Sequence, residues 1–101
     1  GADFVASARG FMFSLGCIQA LKCNKNTCPT GITTHDDHLQ KGLNPQDKAA
    51  KVARYCEHII HEVQVISHSC GVNRPRLLQR KHLRIVQDNA RSIPMDELHP
   101  L

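Results

Sequence analysis

The longest regular pattern of apolar positions begins after Asn44 and ends before Gly71. Apolar residues recur there at steps of three and four, which places them in one stripe along a helix. They are Val52, Cys56, Ile59, Val63, Ile66 and Cys70. Asn44 followed by Pro45 is typical of a helix start, and Gly71 stands where a C-terminal cap belongs. The pattern therefore predicts one long helix over about residues 45–70.

A second apolar pattern lies near the start of the chain. The apolar run at residues 4–6 is bounded by small and polar residues, which favours a short buried strand. Residues 7–10 are predicted to form a turn. A helix is predicted over residues 11–22, where apolar side chains keep close to the helical period at Phe11, Leu15, Ile18 and Leu21.

The stretch between these two helices is polar and mostly irregular. Thr34 with Asp37 three residues later is a capping signature, which predicts a turn of helix over residues 35–41 that ends at Gly42. His35 and His38 in the same stretch could instead complete a zinc site. The capping pattern favours the short helix.

The C-terminal part gives weaker patterns. Pro75 can open a short helix over residues 76–80, and residues 83–86 can form a brief strand. From Gln87 onward the chain is polar and interrupted by prolines, so residues 87–101 are predicted to be an irregular tail with one helical turn over residues 95–98.

Three of the five cysteines lie within twelve residues, spaced C-x5-C-x4-C at Cys17, Cys23 and Cys28. A structural disulfide would leave one thiol over, and the paired C-x2-C spacing of zinc sites is absent. A three-iron cluster needs three thiolates, and a cysteine followed by proline also closes the bacterial ferredoxin motif. The spacing favours an iron–sulfur site, with zinc plus a nearby histidine and unrelated thiols as the alternatives. Cys56 and Cys70 belong to the helix stripe and are expected to be small buried hydrophobes.

The cysteine run and the residues before it carry a family resemblance. The segment GADFVASARGFMFSLGCIQALKCNKNTCPTG at residues 1–31 resembles the end of the FMN-binding synthase domain of glutamate synthases. The resemblance is nearest to the compact "glutamate synthase-like, FMN-binding" branch. It continues through residues 39–43 and the following helix, and it fades beyond about Val86. The resemblance therefore implies that residues 1–86 are the C-terminal end of an FMN-binding barrel domain with its iron–sulfur loop, followed by the tail at residues 87–101.

The resemblance implies a fold and two cofactors. A family member carries an α/β parent fold, an FMN-binding (β/α)8 TIM barrel, of which this chain would be the C-terminal end: mostly α-helical, with one short N-terminal strand and the long helix. The family's C-x5-C-x4-C run holds a [3Fe-4S] cluster, which implies Cys17, Cys23 and Cys28 as its ligands. No catalytic residue is assigned to this stretch.

The turn at residues 7–10 is the candidate contact to FMN. A backbone that can approach closely at Gly10, free N–H groups of the next helix and the charge of Arg9 suit a phosphate. Many FMN barrels place Gly-Arg at this turn; here Arg9 matches, whereas Ala8 replaces the glycine. Ser7, Ala8, Arg9 and Gly10 are the predicted cofactor-binding residues. The alternative is an ordinary turn with a surface arginine.

The activity implied by the resemblance is reductive amination. Glutamine-derived ammonia and 2-oxoglutarate would yield L-glutamate on FMN, with electrons relayed by the cluster from a donor protein or subunit. The missing N-terminal barrel of the same protein would be the structural partner, and the piece alone is expected to be inactive. An N-methylglutamate synthase-type relative would share this stretch. A non-enzymatic helical module with zinc on the three cysteines and His35 or His38 is the alternative from another class.

Composition and charge limit the kinds of partner that are expected for this chain. The chain has 101 residues, four aromatic side chains and no Trp, which is little bulky material for an independent core. It begins without Met on an apparent strand, as expected of a piece. The net charge is +4, but basic residues are interleaved with acidic ones and lack an aromatic stacking platform, so no nucleic acid partner is expected. No apolar run approaches ~20 residues and no signal peptide is visible, so no membrane is expected. Clustered thiols favour the cytoplasm.

Overall fold

The computed structural model of the chain describes residues 3–101, and their contacts form two units, residues 3–59 and residues 60–101. The first unit holds α1 (Arg9–Ser14), α2 (Asp37–Gln40) and the first part of α3 (Pro45–Ser69). The second holds the rest of α3, the 3-10 turns Pro75–Leu77 and Arg80–His82, β1 (Arg84–Val86), β2 (Ser92–Pro94) and α4 (Met95–Leu98). Regular structure in the described residues is therefore mostly helical.

The start of α3 follows from a side-chain cap. The Asn44 Oδ1 accepts hydrogen bonds from the backbone N–H groups of Gln46 at 3.0 Å and Asp47 at 3.4 Å. Asp47, in the first turn, also lies 2.9 Å from the Lys51 ammonium four residues later. These contacts satisfy orphan N–H groups and place negative charge at the positive end of the helix. The predicted helix start is confirmed.

The end of α3 also agrees with the prediction. The helix ends at Ser69, one residue before the predicted bound. Gly71 then donates its N–H to the carbonyl of His68 at 2.9 Å, and Val72 donates to the carbonyl of Ser67 at 3.1 Å. This pair of hydrogen bonds is the Schellman arrangement, which closes helices at a residue of positive φ.

The described residues bury no hydrophobic side chain. The apolar stripe of α3 is half-buried at Val52 and Ile59 but exposed further on, with 58% of Ile66 accessible to solvent. Residues 3–101 thus form no apolar core of their own, in agreement with the small amount of bulky material in the sequence. None of the helices in this part of the chain has the length and hydrophobicity that crossing a bilayer requires.

The predicted strand at residues 4–6 is not formed. Residues 4–8 adopt neither helix nor strand, and Phe4 and Val5 are 87% and 83% exposed. A strand requires a hydrogen-bonded neighbour, and none of the residues in the range 3–101 pairs with this segment. The parent barrel stays a prediction.

The predicted irregular tail supplies the turn and the second strand of a hairpin. β1 pairs antiparallel with β2, with Ile85 opposite Ile93. The turn between them places Ala90 at φ 60°, and the Asn89 side chain accepts from the N–H of Arg91. The brief strand predicted at residues 83–86 and the helical turn at residues 95–98 are confirmed, while the irregular backbone expected between them is wrong. A domain boundary at Val86 stays a prediction.

The short helix α2 begins two residues later than predicted. Its N-cap is Asp36, whose carboxylate accepts from the N–H groups of His38 and Leu39, each at 2.9 Å. Thr34, the predicted cap, uses its hydroxyl elsewhere. The Thr34 hydroxyl instead contacts Asn26 and accepts from the Asp36 N–H, so the predicted Thr34 cap is wrong.

The cap of α3 gives a testable prediction. Asn44→Ala should lower the stability of the helix by about 1 kcal/mol, because two N–H groups lose their acceptor. The measurement is thermal unfolding followed by circular dichroism at 222 nm. Gln46→Ala, in the same first turn, is the control and should change little. Equal effects of both changes would contradict a capping role for Asn44.

Candidate metal centre

The first cysteine lies beyond the end of α1. The Gly16 N–H donates to the carbonyl of Phe13 at 2.9 Å, and the Cys17 N–H donates to the carbonyl of Met12 at 3.0 Å. These two bonds form a Schellman motif, and Gly16 has φ +98°, which a side chain disfavours. The helix predicted over residues 11–22 is therefore wrong beyond Ser14, and Cys17 is the first residue after the cap.

The segment between Cys17 and Cys23 has a strained, irregular backbone. Gln19 and Leu21 have φ of 56° and 54°, in the left-handed region that residues other than glycine rarely adopt. Each such residue costs about 1–2 kcal/mol. Contacts of the segment with its surroundings must offset this cost. Unusual backbone of this kind clusters at functional sites.

The loop at residues 24–28 is attached to the chain that leads into α2 through Asn26. The Asn26 Oδ1 accepts from the His35 N–H at 2.6 Å and lies 3.1 Å from the Thr34 hydroxyl. The same hydroxyl lies 2.9 Å from the Asn26 carbonyl oxygen, to which it can donate, and it accepts from the Asp36 N–H. Thr34 is buried, with 7% of its surface exposed. One threonine hydroxyl thus joins the cysteine loop to the cap of α2.

The backbone after Cys28 passes directly over α2. Gly31 is buried and has φ +77°, and a Cβ at this position would contact the carbonyl oxygen of Leu39 and lie 3.1 Å from the Gln40 Cα. Both are backbone atoms and cannot rotate away. The approach therefore requires glycine, and it fixes residues 28–31 against α2.

The three predicted ligands line one cavity. Cys17, Cys23 and Cys28 all contribute to a cavity of about 310 Å³ in the first unit. Other lining residues are Ala8, Arg9, Met12, Phe13, Ile18, Leu21, Lys22 and Thr30. The wall is mostly apolar, with the cations of Arg9 and Lys22 beside it. Such surroundings suit an anionic thiolate-bound group.

Two of the three thiols, those of Cys17 and Cys28, have hydrogen-bond partners in the cavity. The Gln19 N–H donates to the Cys17 Sγ at 3.4 Å, and the Thr30 hydroxyl lies 3.4 Å from the Cys28 Sγ. The Thr30 hydroxyl, followed by the backbone N–H groups of Thr33 and Thr30, lowers the pKa of the Cys28 thiol from 9.0 to about 6. Cys28 is therefore mostly thiolate at neutral pH, the form that binds metals.

Thr33 also affects the Cys28 thiol, although it does not line the cavity. Its backbone N–H and, to a smaller extent, its hydroxyl help to lower the pKa of that thiol. The Thr33 Oγ1 is buried and forms no hydrogen bond of ordinary geometry within residues 3–101. Thr33 lines a separate surface depression together with Cys23.

The three thiols are not arranged as the ligands of a metal in this structure. Within the described range, no three His, Cys, Asp or Glu side chains are arranged to hold a metal ion. Neither His35 nor His38 lines the cavity of the three cysteines; His35 lies with Cys23 along a separate surface depression. The donor chemistry and shared cavity fit a three-thiolate group, and the assignment of the ligands stays a prediction.

The candidate FMN turn is only partly assembled around the cavity. Ala8 and Arg9 line it, whereas Ser7 and Gly10 do not. Arg9 is the first residue of α1 and is exposed. At Gly10, a Cβ would meet the Tyr55 side chain, so the glycine accommodates a protein ring in this structure. Binding of FMN by these four residues stays a prediction.

Cys56 and Cys70 are the two cysteines outside the predicted ligand set. Both are half-buried rather than buried, and neither lines the space that holds the other three thiols. Cys70 follows the last residue of α3, so it belongs to the cap and not to the helical stripe. All five cysteines are free thiols.

Sequence patterns missed Asn26, Gly31 and Tyr55. An asparagine in a loop and a glycine two residues after a proline are common in sequences. Neither pattern indicates which distant residue it will contact. An asparagine between two candidate ligands was the available signal, because asparagine adopts positive φ more readily than most residues. Tyr55 gave no signal, because it lies beside the apolar stripe of α3.

Comparison with known proteins identifies the family. Residues 1–73 match the profile described as "Conserved region in glutamate synthase". The chain belongs to the glutamate synthase family. The resemblance carried by the first 31 residues and the cysteine spacing is thereby confirmed.

Individual relatives extend the match within the glutamate synthase family. Glutamate synthase large subunit-like protein YerD of Bacillus subtilis (strain 168) is 39% identical over 98 residues, or 97% of this chain and 19% of the relative. Archaeal glutamate synthase (NADPH) of Archaeoglobus fulgidus is 31% identical over 86 residues, or 83% of this chain and 17% of the relative. Archaeal-type glutamate synthase (NADPH) of Thermotoga maritima is 36% identical over 73 residues, or 72% and 14%.

The chain spans less than a fifth of the length of these glutamate synthase relatives. No solved structure matches the chain.

The Asn26 contact gives a prediction about the loop. Asn26→Ala should lower the free energy of unfolding by about 1–3 kcal/mol, because the His35 N–H loses its acceptor and alanine tolerates positive φ poorly. Urea denaturation measures the change, and hydrogen exchange at the His35 amide locates it. Asn24→Ala in the same loop is the matched control. Unaltered exchange at His35 in Asn26→Ala would show that the contact does not hold the loop.

The lowered pKa of Cys28 gives a prediction about pH. In the metal-free chain, alkylation of Cys28 by iodoacetamide should rise with pH around a midpoint near 6. Thr30→Val removes the largest cause and should move the midpoint up, while Thr27→Val should not. Mass spectrometry of tryptic peptides reads the extent of alkylation. The same midpoint in wild type and Thr30→Val would contradict the assigned cause.

The same shift predicts the direction of stability with pH. The Cys28 thiol has a lower pKa in the folded chain than its ordinary 9.0, so deprotonation favours the folded loop. Its contribution is complete above the ordinary value and is lost as the pH falls through about 6.

Proposed function

We propose that the full-length protein is a glutamate synthase-type oxidoreductase. It converts 2-oxoglutarate and glutamine-derived ammonia to L-glutamate on FMN, and a [3Fe-4S] cluster held by this chain carries electrons from a donor protein or subunit to the flavin. Family membership supports the class of reaction, since residues 1–73 match the conserved region of glutamate synthase.

The observation that carries the proposal is the shared cavity of Cys17, Cys23 and Cys28. Three thiols with mostly apolar surroundings and no histidine on the wall are the donor set of a three-iron cluster. A tetrahedral zinc site would need a fourth ligand. When bound, the cluster supplies one-electron transfer between the outside donor and the flavin.

The residues of this chain have defined tasks toward the cluster. Cys28 would bind it as a thiolate, because the Thr30 hydroxyl, followed by the backbone N–H groups of Thr33 and Thr30, lowers its pKa to about 6. The Gln19 N–H donates to the Cys17 sulfur, which tunes a bound iron by withdrawing electron density. Lys22 adds a positive charge beside the cavity. In this chain alone Cys23 is exposed and the other two thiols are half-buried, so the rest of the parent protein would have to shield the sulfurs from water.

Arg9 is the residue of this chain proposed to bind FMN. Its guanidinium can pair with the phosphate, and it lies on the same cavity as the cysteines. When bound, the flavin supplies hydride transfer to the substrate. Ser7, Ala8 and Gly10 would contribute backbone groups beside that phosphate.

The remaining partner is the rest of the same polypeptide. Relatives are more than five times longer than this chain, and its Phe4 and Val5 expose most of their surface. In the proposed parent, residues 4–6 form the last strand of a (β/α)8 barrel. Neighbouring strands of that barrel would then cover the side chains of Phe4 and Val5. The exposed part of the α3 stripe is a second surface for the parent to cover.

The experiment that tests the proposal separates the five cysteines in the full-length protein. Cys17→Ser, Cys23→Ser and Cys28→Ser should each lose iron and acid-labile sulfide, because a serine hydroxyl stays protonated and binds iron poorly. Cys56→Ser and Cys70→Ser are the matched controls and should keep both. Metal and sulfide analysis with electron paramagnetic resonance provides the readout.

Two outcomes would contradict the proposal. Zinc without sulfide in the wild type would favour the non-enzymatic zinc module. Loss of iron in Cys56→Ser or Cys70→Ser, with the fold intact by circular dichroism, would mean that the ligands are assigned wrongly.

A further inference from the structure

Tyr55 on α3 contacts two consecutive residues of α1. Its ring meets the ring of Phe11 edge to face, with centroids 5.1 Å apart and planes inclined at 85°. Its hydroxyl occupies the space where a side chain at Gly10 would begin, and a Cβ there would lie 2.8 Å from the Tyr55 Cζ. Tyr55 and Gly10 are therefore matched in size.

The short helix α1 depends on such a contact for its position. It has six residues, its N-cap Ala8 makes no side-chain hydrogen bond, and none of its residues is buried. A helix this short is not stable alone in water, so tertiary contacts hold it in place. Tyr55 supplies an aromatic contact of favourable geometry.

The residues on either side of this contact form part of the cysteine cavity. Arg9 comes directly before Gly10, and Met12 and Phe13 come directly after Phe11; all three line the cavity. The Schellman motif at Gly16 then places Cys17 at the end of the same helix. A displacement of α1 would move Arg9 and Cys17 together.

We propose that Tyr55 is a positioning residue for the cysteine-lined cavity. Acting through Gly10 and Phe11, it fixes α1, and with it the Arg9 guanidinium and the Cys17 thiol. The consequence for FMN rests on the proposed function, whereas the consequence for Cys17 does not. Tyr55 itself does not line the cavity.

The test uses the full-length protein and two readouts. Metal-free protein reports the position of α1 through the alkylation rate of Cys17, and the FMN dissociation constant reports that of Arg9. Tyr55→Ala should change each by about three- to tenfold, the range expected for loss of one aromatic pair. Tyr55→Phe keeps the ring contact and should stay within about twofold of wild type.

Gly10→Ala provides a second route that does not remove the tyrosine. The added methyl group overlaps the Tyr55 hydroxyl and should change the Cys17 alkylation rate in the same direction as Tyr55→Ala. Only the Cys17 rate is compared for this variant, because Gly10 is itself a proposed FMN contact. Tyr55→Phe combined with Gly10→Ala removes the overlapping oxygen and should restore part of the effect. Ile59→Ala, one turn along α3, is the control for general loosening of the helix and should leave both readouts unchanged.

The outcomes separate this proposal from the proposed function. If the wild type binds no FMN, the proposed function fails, and the Cys17 rates alone decide whether Tyr55 positions α1. Cys17 rates in Tyr55→Ala and Gly10→Ala equal to wild type would overturn the positioning role. An Ile59→Ala effect as large as that of Tyr55→Ala would overturn it too, as would failure of Tyr55→Phe to relieve Gly10→Ala.

Discussion

The arrangement of the cysteine segment depends on one side-chain oxygen, that of Asn26. It accepts from the His35 N–H at 2.6 Å, across a separation of nine residues, in a loop that has no regular backbone. The Thr34 hydroxyl contacts Asn26 and also accepts from the N–H of Asp36, the N-cap of α2. The backbone at Gly31 then packs against the far end of α2. Hydrogen bonds and one close backbone approach, rather than a core of apolar side chains, hold this part of the chain.

The success of the α3 prediction and the failure of the α1 prediction have one physical explanation. For α3, the helical period, the Asn44 cap and the Gly71 stop agree, so local signals suffice. Beyond Ser14 the period of apolar residues continues through Ile18 and Leu21, but the backbone has already turned at Gly16. Those two side chains are exposed, 66% and 83%, so they follow the period without packing as a helix face. Because Gly16 adopts positive φ, the helix ends there although the helical period of apolar residues continues.

Other features could not be predicted because they depend on distant partners. Thr34 has the sequence of an N-cap, but its hydroxyl is held by Asn26, and Asp36 caps α2 instead. The hairpin joins strands of three residues, which are too short to display an alternating pattern. The three cysteines named from their spacing line one cavity, because a short loop limits how far apart they can lie, but their role as ligands stays a prediction.

The exposure of the cysteine segment has a consequence for how its state can be followed. Lys22 and Lys25 are exposed and lie in irregular backbone between the candidate ligands. Proteases cleave flexible, accessible chain far faster than helices. In residues 3–101 this segment therefore offers trypsin a readily accessible pair of sites, flanked on the C-terminal side by a tight turn at Gly31. A group bound by all three sulfurs would also restrict the backbone at both lysines. Resistance to limited digestion by trypsin would then show that the group is bound, without any spectroscopic signal.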